Sequence, residues 1–168
     1  EDGTLTQEEI TWLTRRSRGG FGIITTAAAH VCEFGKGWKG EMGVWSDNHC
    51  PGLKKLASGL KNDGSLNLVQ LFHGGMKAPS ELNSRIPVCP SEMMDKSTGE
   101  LVARKLELEE IYELIEKFGD ALRVGWACDE YKFLWWEDPF KDGGVSAFAH
   151  RKLRQLVRTP LLQTEHVR

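Results

Sequence analysis

The spacing of apolar positions changes several times along this chain, and the changes divide it into alternating elements. Ile10 and Leu13 stand one helical turn apart behind Thr6-Gln7-Glu8-Glu9. There the Thr6 hydroxyl and the Glu9 carboxylate suit the two halves of a capping box, so a helix opens at this point and runs to Arg15, Arg16 and Arg18. Phe21 to Thr25 is a short apolar run with adjacent isoleucines, entered through Gly19-Gly20, which suits a buried parallel strand. It then turns small, from Thr26 to Ala29. Leu53, Leu56, Ala57 and Leu60 return to helical spacing and predict a helix from Pro51 to Asn62. The turn Asp63-Gly64 leads into a second strand, Leu66 to Phe72, with one amide, Gln70, among its aliphatic residues. A buried amide needs a partner.

Residues 32–50 carry no period and are rich in glycine, with Trp38 and Trp45, so they read as a long loop. His73-Gly74-Gly75 begins another, through Pro79, Pro87 and Pro90 to about Lys105; loops of that length are functional or poorly ordered. Leu108, Ile111, Ile115, Phe118 and Leu122 then recur at three and four and predict a packing helix. Further on, a strand ends in Trp136-Glu137-Asp138-Pro139. Ser146 can cap a helix striped by Ala149, Leu153, Leu156 and Val157, and Pro160 precedes a strand ending in Thr164-Glu165-His166. The order is helix and strand, four times over. About four strands and four helices make an α/β chain equal to half of an eight-stranded (β/α)8 barrel, which takes about 250 residues to close.

Composition changes this picture little. At 168 residues, 40% hydrophobic and 27% charged, the chain suits one compact unit of ordinary globular type. A formal net charge of −2 with scattered Lys and Arg gives no basic stripe for nucleic acid, and the arginines before Gly19 suit the C-terminal dipole of their helix. No apolar run reaches the length of a membrane span and no signal peptide opens the sequence, so the expectation is a cytoplasmic protein. Cys32, Cys50, Cys89 and Cys128 form no C-x-x-C pair and read as reduced thiols; His49-Cys50 runs straight into the helix start Pro51-Gly52 rather than into a metal site.

Read together, GGFGIITTAAAHV (19–31), GKGWKGEMGVWSD (35–47), PGLKKLASGLKNDGSLNLVQLFHGGM (51–76) and APSE (78–81) resemble the first third of the Old Yellow Enzyme family, over residues 1–122. The resemblance implies a barrel enzyme that binds FMN and takes hydride from NAD(P)H, acting on a small-molecule substrate as an ene-reductase does. It also implies that Gln70 holds the pyrimidine edge of the flavin, that Ala28 lets the backbone approach the ring, and that His73 at the strand exit helps orient the site. The family's first-strand flavin contacts, its paired His-x-x-His or His-x-x-Asn ligands, its arginine and its glycine-rich phosphate site have no counterpart in these residues.

From about Arg123 that pattern stops, and residues 129–168 resemble the acid-sugar dehydratases and racemases of the enolase superfamily. Glu137 and Glu165 match the strand-end glutamates that hold magnesium there. Two carboxylates without a third ligand hold Mg weakly. The sequence thus suggests two partial barrel segments, 1–122 and 123–168, joined in one unit by natural fusion, as an engineered chimera or by an error of sequence assembly, with an FMN-dependent oxidoreductase as the leading function. A metal-dependent lyase or racemase fragment and a non-catalytic half barrel are the alternatives. Four strands covered on one side would leave a bare inner face, expected here at Ile24, Val69 and Leu71, and a homo-oligomer would cover it.

Overall fold

A computed structural model describes residues 2–130, 135–137 and 161–162. Helix α1, Gln7–Arg18, starts where the sequence places it, with the extended Thr6 accepting the Glu9 N–H at 3.2 Å, one half of the expected box. Strand β1, Ile23–His30, begins two residues later than the apolar run and continues through the small residues, where a reading by hydrophobicity ends it. A two-residue strand, β2 (Met42–Gly43), lies in the stretch expected to be loop and pairs with Ala29 and His30. Helix α2, Cys50–Asn62, and strand β3, Leu66–Phe72, match their sequence patterns.

The stretch after β3 is structured rather than looped. It contains the short helix α3 (Ser80–Asn83) and strands β4 (Val88–Cys89), β5 (Met93–Met94) and β6 (Leu101–Lys105), which form a separate small sheet in the order β4-β6-β5. The Asp95 carboxylate accepts the Ser97 hydroxyl at 2.5 Å and the N–H groups of Thr98 and Ser97 at 3.0 and 2.7 Å and so closes the β5–β6 turn; the hydroxyl bond first, then the backbone bonds, hold its pKa down at about 2. Helix α4 runs Leu108–Glu130, and strands β7 (Trp135–Glu137) and β8 (Leu161–Leu162) follow. The helix expected after Ser146 lies outside the described residues.

The main sheet has the order β2-β1-β3-β7-β8, and every pairing in it is parallel. Strands β1, β3, β7 and β8 are neighbours in the order in which the chain makes them. The sheet therefore grows in one direction without the reversal of a doubly wound fold, and right-handed crossovers then place the connecting helices on one face. The core agrees. Leu53 and Ala57 of α2 and Phe118, Ala121 and Val124 of α4 pack with Ala29, Val31, Val69 and Leu71, while Ile10 and Leu13 of α1 pack with Leu56, Leu60 and Ile24.

Two sequence-based assignments of side-chain direction are corrected by this core. Ile24, Val69 and Leu71, expected on the bare inner face, all lie against the helices; period two then sends Leu68, Gln70 and Phe72 to the opposite face. In α4, Leu108 and Ile111 are exposed and the inward face is Leu114, Phe118, Ala121 and Val124, a stripe displaced by one turn toward the C-terminus. The first turn of α4 meets the small sheet instead of the core, with Arg104 donating to Glu110 through both terminal guanidinium nitrogens, Nη1 and Nη2.

Candidate functional site at the strand ends

Ala28 and Gln70, the two residues expected to meet a flavin, are direct partners in the β1–β3 register. Their juxtaposition depends on an irregularity: the register shifts between Thr25 and Ala28, and the side-chain period of β1 slips by one residue there. Before the slip Ile24 faces the helices; after it Ala29 and Val31 do, and Ala28 turns to the face that Gln70 shares. Thr26 repairs the ladder. Its Oγ1 accepts the Gln70 N–H at 3.3 Å while donating to the Ala27 carbonyl at 2.7 Å, so a hydroxyl stands in for the backbone acceptor lost at the bulge. Sequence reasoning passed over Thr26, whose only signal is a hydroxyl within a run of small residues.

The Gln70 side chain is half-buried and makes no hydrogen bond to the described residues. A backbone partner, the ordinary fate of a glutamine in a strand, is thus not what holds this amide. An amide that offers one acceptor and two donors, beside an alanine too small to obstruct a flat ring, fits the edge and face of a flavin. Two residues further along the same face, Phe72 meets Trp38 with ring centroids 5.5 Å apart, and Trp38 remains 43% exposed at the rim. His30 is buried beside this row, with Nδ1 2.8 Å from the Cys32 carbonyl oxygen and Nε2 without a partner among the described residues; burial lowers its pKa.

His73 leaves β3 into a single 3-10 turn, Gly75–Lys77, and its Nδ1 accepts the Gly75 N–H at 3.0 Å. That bond fixes the Nε2–H tautomer, and burial, helped by the nearby His30, pushes the pKa down to about 4. Gly35 is what permits this position: a Cβ there would lie 2.6 Å from His73 Cδ2. His49 is structural. Its Nδ1 accepts the Ser46 N–H at 3.1 Å and its Nε2 lies 2.9 Å from the Asp2 carbonyl oxygen, which ties the N-terminal segment to the end of the sheet and leaves no lone pair for a metal. Cys32, Cys50 and Cys89 are free thiols.

Of the two carboxylates expected to bind magnesium, Glu137 ends β7 in register with Gln70 on one side and Leu162 on the other, so the row Ala28, Gln70, Glu137 crosses three parallel strands. Glu165 lies outside the described residues. Among the described residues no group of three or more His, Cys, Asp or Glu side chains is placed to hold a metal ion.

Comparisons with known proteins agree with the flavin half of the sequence reading. The "Probable NADH-dependent flavin oxidoreductase YqiG" of Bacillus subtilis is 38% identical over 124 residues, 73% of this chain and 32% of that protein. The NADH:fumarate oxidoreductase of Klebsiella pneumoniae is 34% identical over 123 residues, 73% of this chain and 13% of that protein. This chain therefore spans a third or less of the length of these relatives. Among solved structures, a 2-naphthoyl-CoA reductase complex shares its fold with a TM-score of 0.74 at 23% identity, covering 96% of this chain and 30% of its own. The Old Yellow Enzyme homologue of Zymomonas mobilis has a TM-score of 0.64 at 25% identity, covering 81% of this chain and 41% of its own.

Nothing in these comparisons supports an enolase-type ancestry for the C-terminal segment. Helix α4 crosses residue 123 without a break. With the family profile itself matching residues 1–128 of 168, the chain belongs to the NADH:flavin oxidoreductase / NADH oxidase family.

Proposed function

We propose that this chain carries one side of the flavin site of an FMN-dependent, NAD(P)H-driven oxidoreductase, and that its parallel sheet is an arc of a (β/α)8 barrel. The observation that carries this reading is the pairing of Ala28 with Gln70 on the sheet face turned away from the helices, with the Gln70 amide unclaimed by the described residues. When bound, FMN supplies hydride transfer from NAD(P)H to a small activated alkene. The chain's own residues bind and orient: Gln70 meets the polar edge of the ring, Ala28 leaves room for it, and Thr26 sets the direction of Gln70 through its backbone N–H. Two relatives are named for fumarate and for acrylate, and short unsaturated carboxylates are the substrate class proposed here.

Absorbance and flavin-fluorescence titration with FMN tests the reading. Gln70→Leu keeps the volume and removes the polar partner, so FMN should bind about fivefold or more weakly, from a hydrogen bond worth about 1 kcal/mol. Unchanged FMN affinity in the Leu variant would remove Gln70 from the site.

A second copy of the chain is proposed to cover the sheet's open side. Phe21, Ile23 and Leu66 are 64, 47 and 42% exposed near the N-terminal ends of β1 and β3, and a partner's apolar surface would cover them. Sedimentation of dilute protein should give a dimer; a monomer that unfolds cooperatively would refute it.

A further inference from the structure

A cleft outside the flavin-facing row lies between the turn after β1, the exit of β3, the segment leading to β4 and the first turns of α4, with a volume of 130 Å³. That is close to the size of a cavity that holds one benzene-sized molecule, about 150 Å³. Phe34, Leu106 and Leu114 give it apolar walls.

Asn83 is the first of the cleft's polar groups. It is 7% exposed, and its Nδ2 donates to the Lys36 carbonyl at 2.8 Å and the Pro79 carbonyl at 2.9 Å. Both amide protons are thereby spent on acceptors, which fixes the orientation of the amide and identifies the remaining atom as oxygen. That Oδ1 is buried and has no partner among the described residues, although it belongs to a residue lining the cleft. A buried acceptor left unpaired costs the full desolvation of the group, so the position favours an occupant with an O–H or N–H to give. Arg85 is the second. Its guanidinium carbon lies 3.3 Å from the centroid of the Phe34 ring, and no carboxylate comes within 4 Å of it among the described residues, although Glu110 and Glu113 line the same cleft. Stacking spends the face of a guanidinium and leaves its edge donors for an anion. Arg104 also lines the cleft, but Glu110 neutralises it through a two-pronged ion pair.

We infer that this cleft is a binding site for a short hydroxy acid, its carboxylate on the Arg85 edge, its hydroxyl donating to Asn83 Oδ1 and its carbon skeleton against Phe34, Leu106 and Leu114. Neither Ala28 nor Gln70 lines the cleft, while His73 does, so the test of the inference is read from ligand heat and not from flavin binding. Calorimetric titration of the 168-residue protein with 3-hydroxybutyrate tests it, beside butyrate, which lacks the donor, and 1,3-butanediol, which lacks the charge. The hydroxy acid should bind about tenfold more tightly than either control, the margin of one hydrogen bond involving a charged or buried partner. Arg85→Ala, at an exposed side chain whose loss leaves the core intact, should weaken 3-hydroxybutyrate about tenfold and leave 1,3-butanediol unchanged. Equal binding of butyrate and 3-hydroxybutyrate, an Arg85→Ala variant that binds as the parent does, or no heat of binding at millimolar ligand would each overturn the assignment.

Discussion

Gln70 and Leu71 are neighbours in one strand, yet they belong to surfaces with opposite tasks. Leu71 is 2% exposed and packs with Val69, Ala29 and Val31 beneath two helices, in a layer to which β3 adds one amide, Asn67, whose Nδ2 donates to the Ala57 carbonyl of α2 at 3.4 Å. Gln70, turned the other way, shares its face with a small residue, with the rim aromatics Phe72 and Trp38, and with no described hydrogen-bond partner for its amide. One face converts burial into stability, at about 25 cal/mol per Å2 of apolar surface removed from water. The other leaves the Gln70 amide unspent at a half-buried edge, which is what a ligand needs. Alternation along a strand lets six or seven residues do both.

The sharpest way to break this comparison is to exchange the effects of the two neighbours. Leu71→Ala should cost about 2 to 5 kcal/mol of stability, since it opens a cavity among side chains that are themselves almost wholly buried. It should change FMN affinity little, once binding is measured where the variant is folded. Gln70→Leu should do the reverse, with a urea midpoint near that of the parent. If Leu71→Ala were mild and Gln70→Leu severe for folding, the assignment of the two faces would be inverted.

How far the sequence could be read follows from the same geometry. Helix α2 and strand β3 are legible because Leu53, Leu56, Ala57 and Leu60 keep one period and Leu66 to Phe72 is bounded by a turn. Strand β1 is legible only in its first half. Thr26, Ala27 and Ala28 carry no hydrophobic signal, and the register shift among them breaks the alternation that would have told which side chains face the helices. That is why Ile24, Val69 and Leu71 were expected on the wrong face: periodicity alone does not register the shift within β1. Strand β2 is held by two backbone pairings to β1, and Met42-Gly43 gives no pattern to read. The small sheet of β4, β5 and β6 is short and largely exposed, so its residues have little burial to write into the sequence. In α4 the apolar residues Leu108 and Ile111 sit at the right spacing but one turn too early, beside the small sheet rather than the core.

A smaller effect separates the dry helical layer from the strand-end rim by pH. His73 is held neutral down to about pH 4 by burial, whereas in the unfolded chain an ordinary histidine takes up its proton near 6.5. The folded value is depressed, so above pH 6.5 neither state is protonated and His73 contributes no pH dependence. As the pH falls through 6.5 the unfolded state binds a proton that the folded state refuses, and stability drops until the folded ring protonates near 4. The slope has a ceiling of about 1.4 kcal/mol per pH unit. Because the ring is half-buried, a loss of roughly 1 to 2 kcal/mol between pH 6.5 and 5 is expected, a window that lies above the ordinary range of Asp and Glu. His30, also lowered by burial, adds to the same slope. Urea denaturation at pH 7.5, 6.5, 5.8 and 5.0 should therefore show the parent losing stability across this interval. His73→Asn, which keeps an acceptor for the Gly75 N–H but cannot titrate, should lose distinctly less over the same interval while starting from a similar value at pH 7.5. Parallel curves for parent and variant would mean that the folded ring takes its proton as readily as the unfolded one, and that the rim around His73 is open to water.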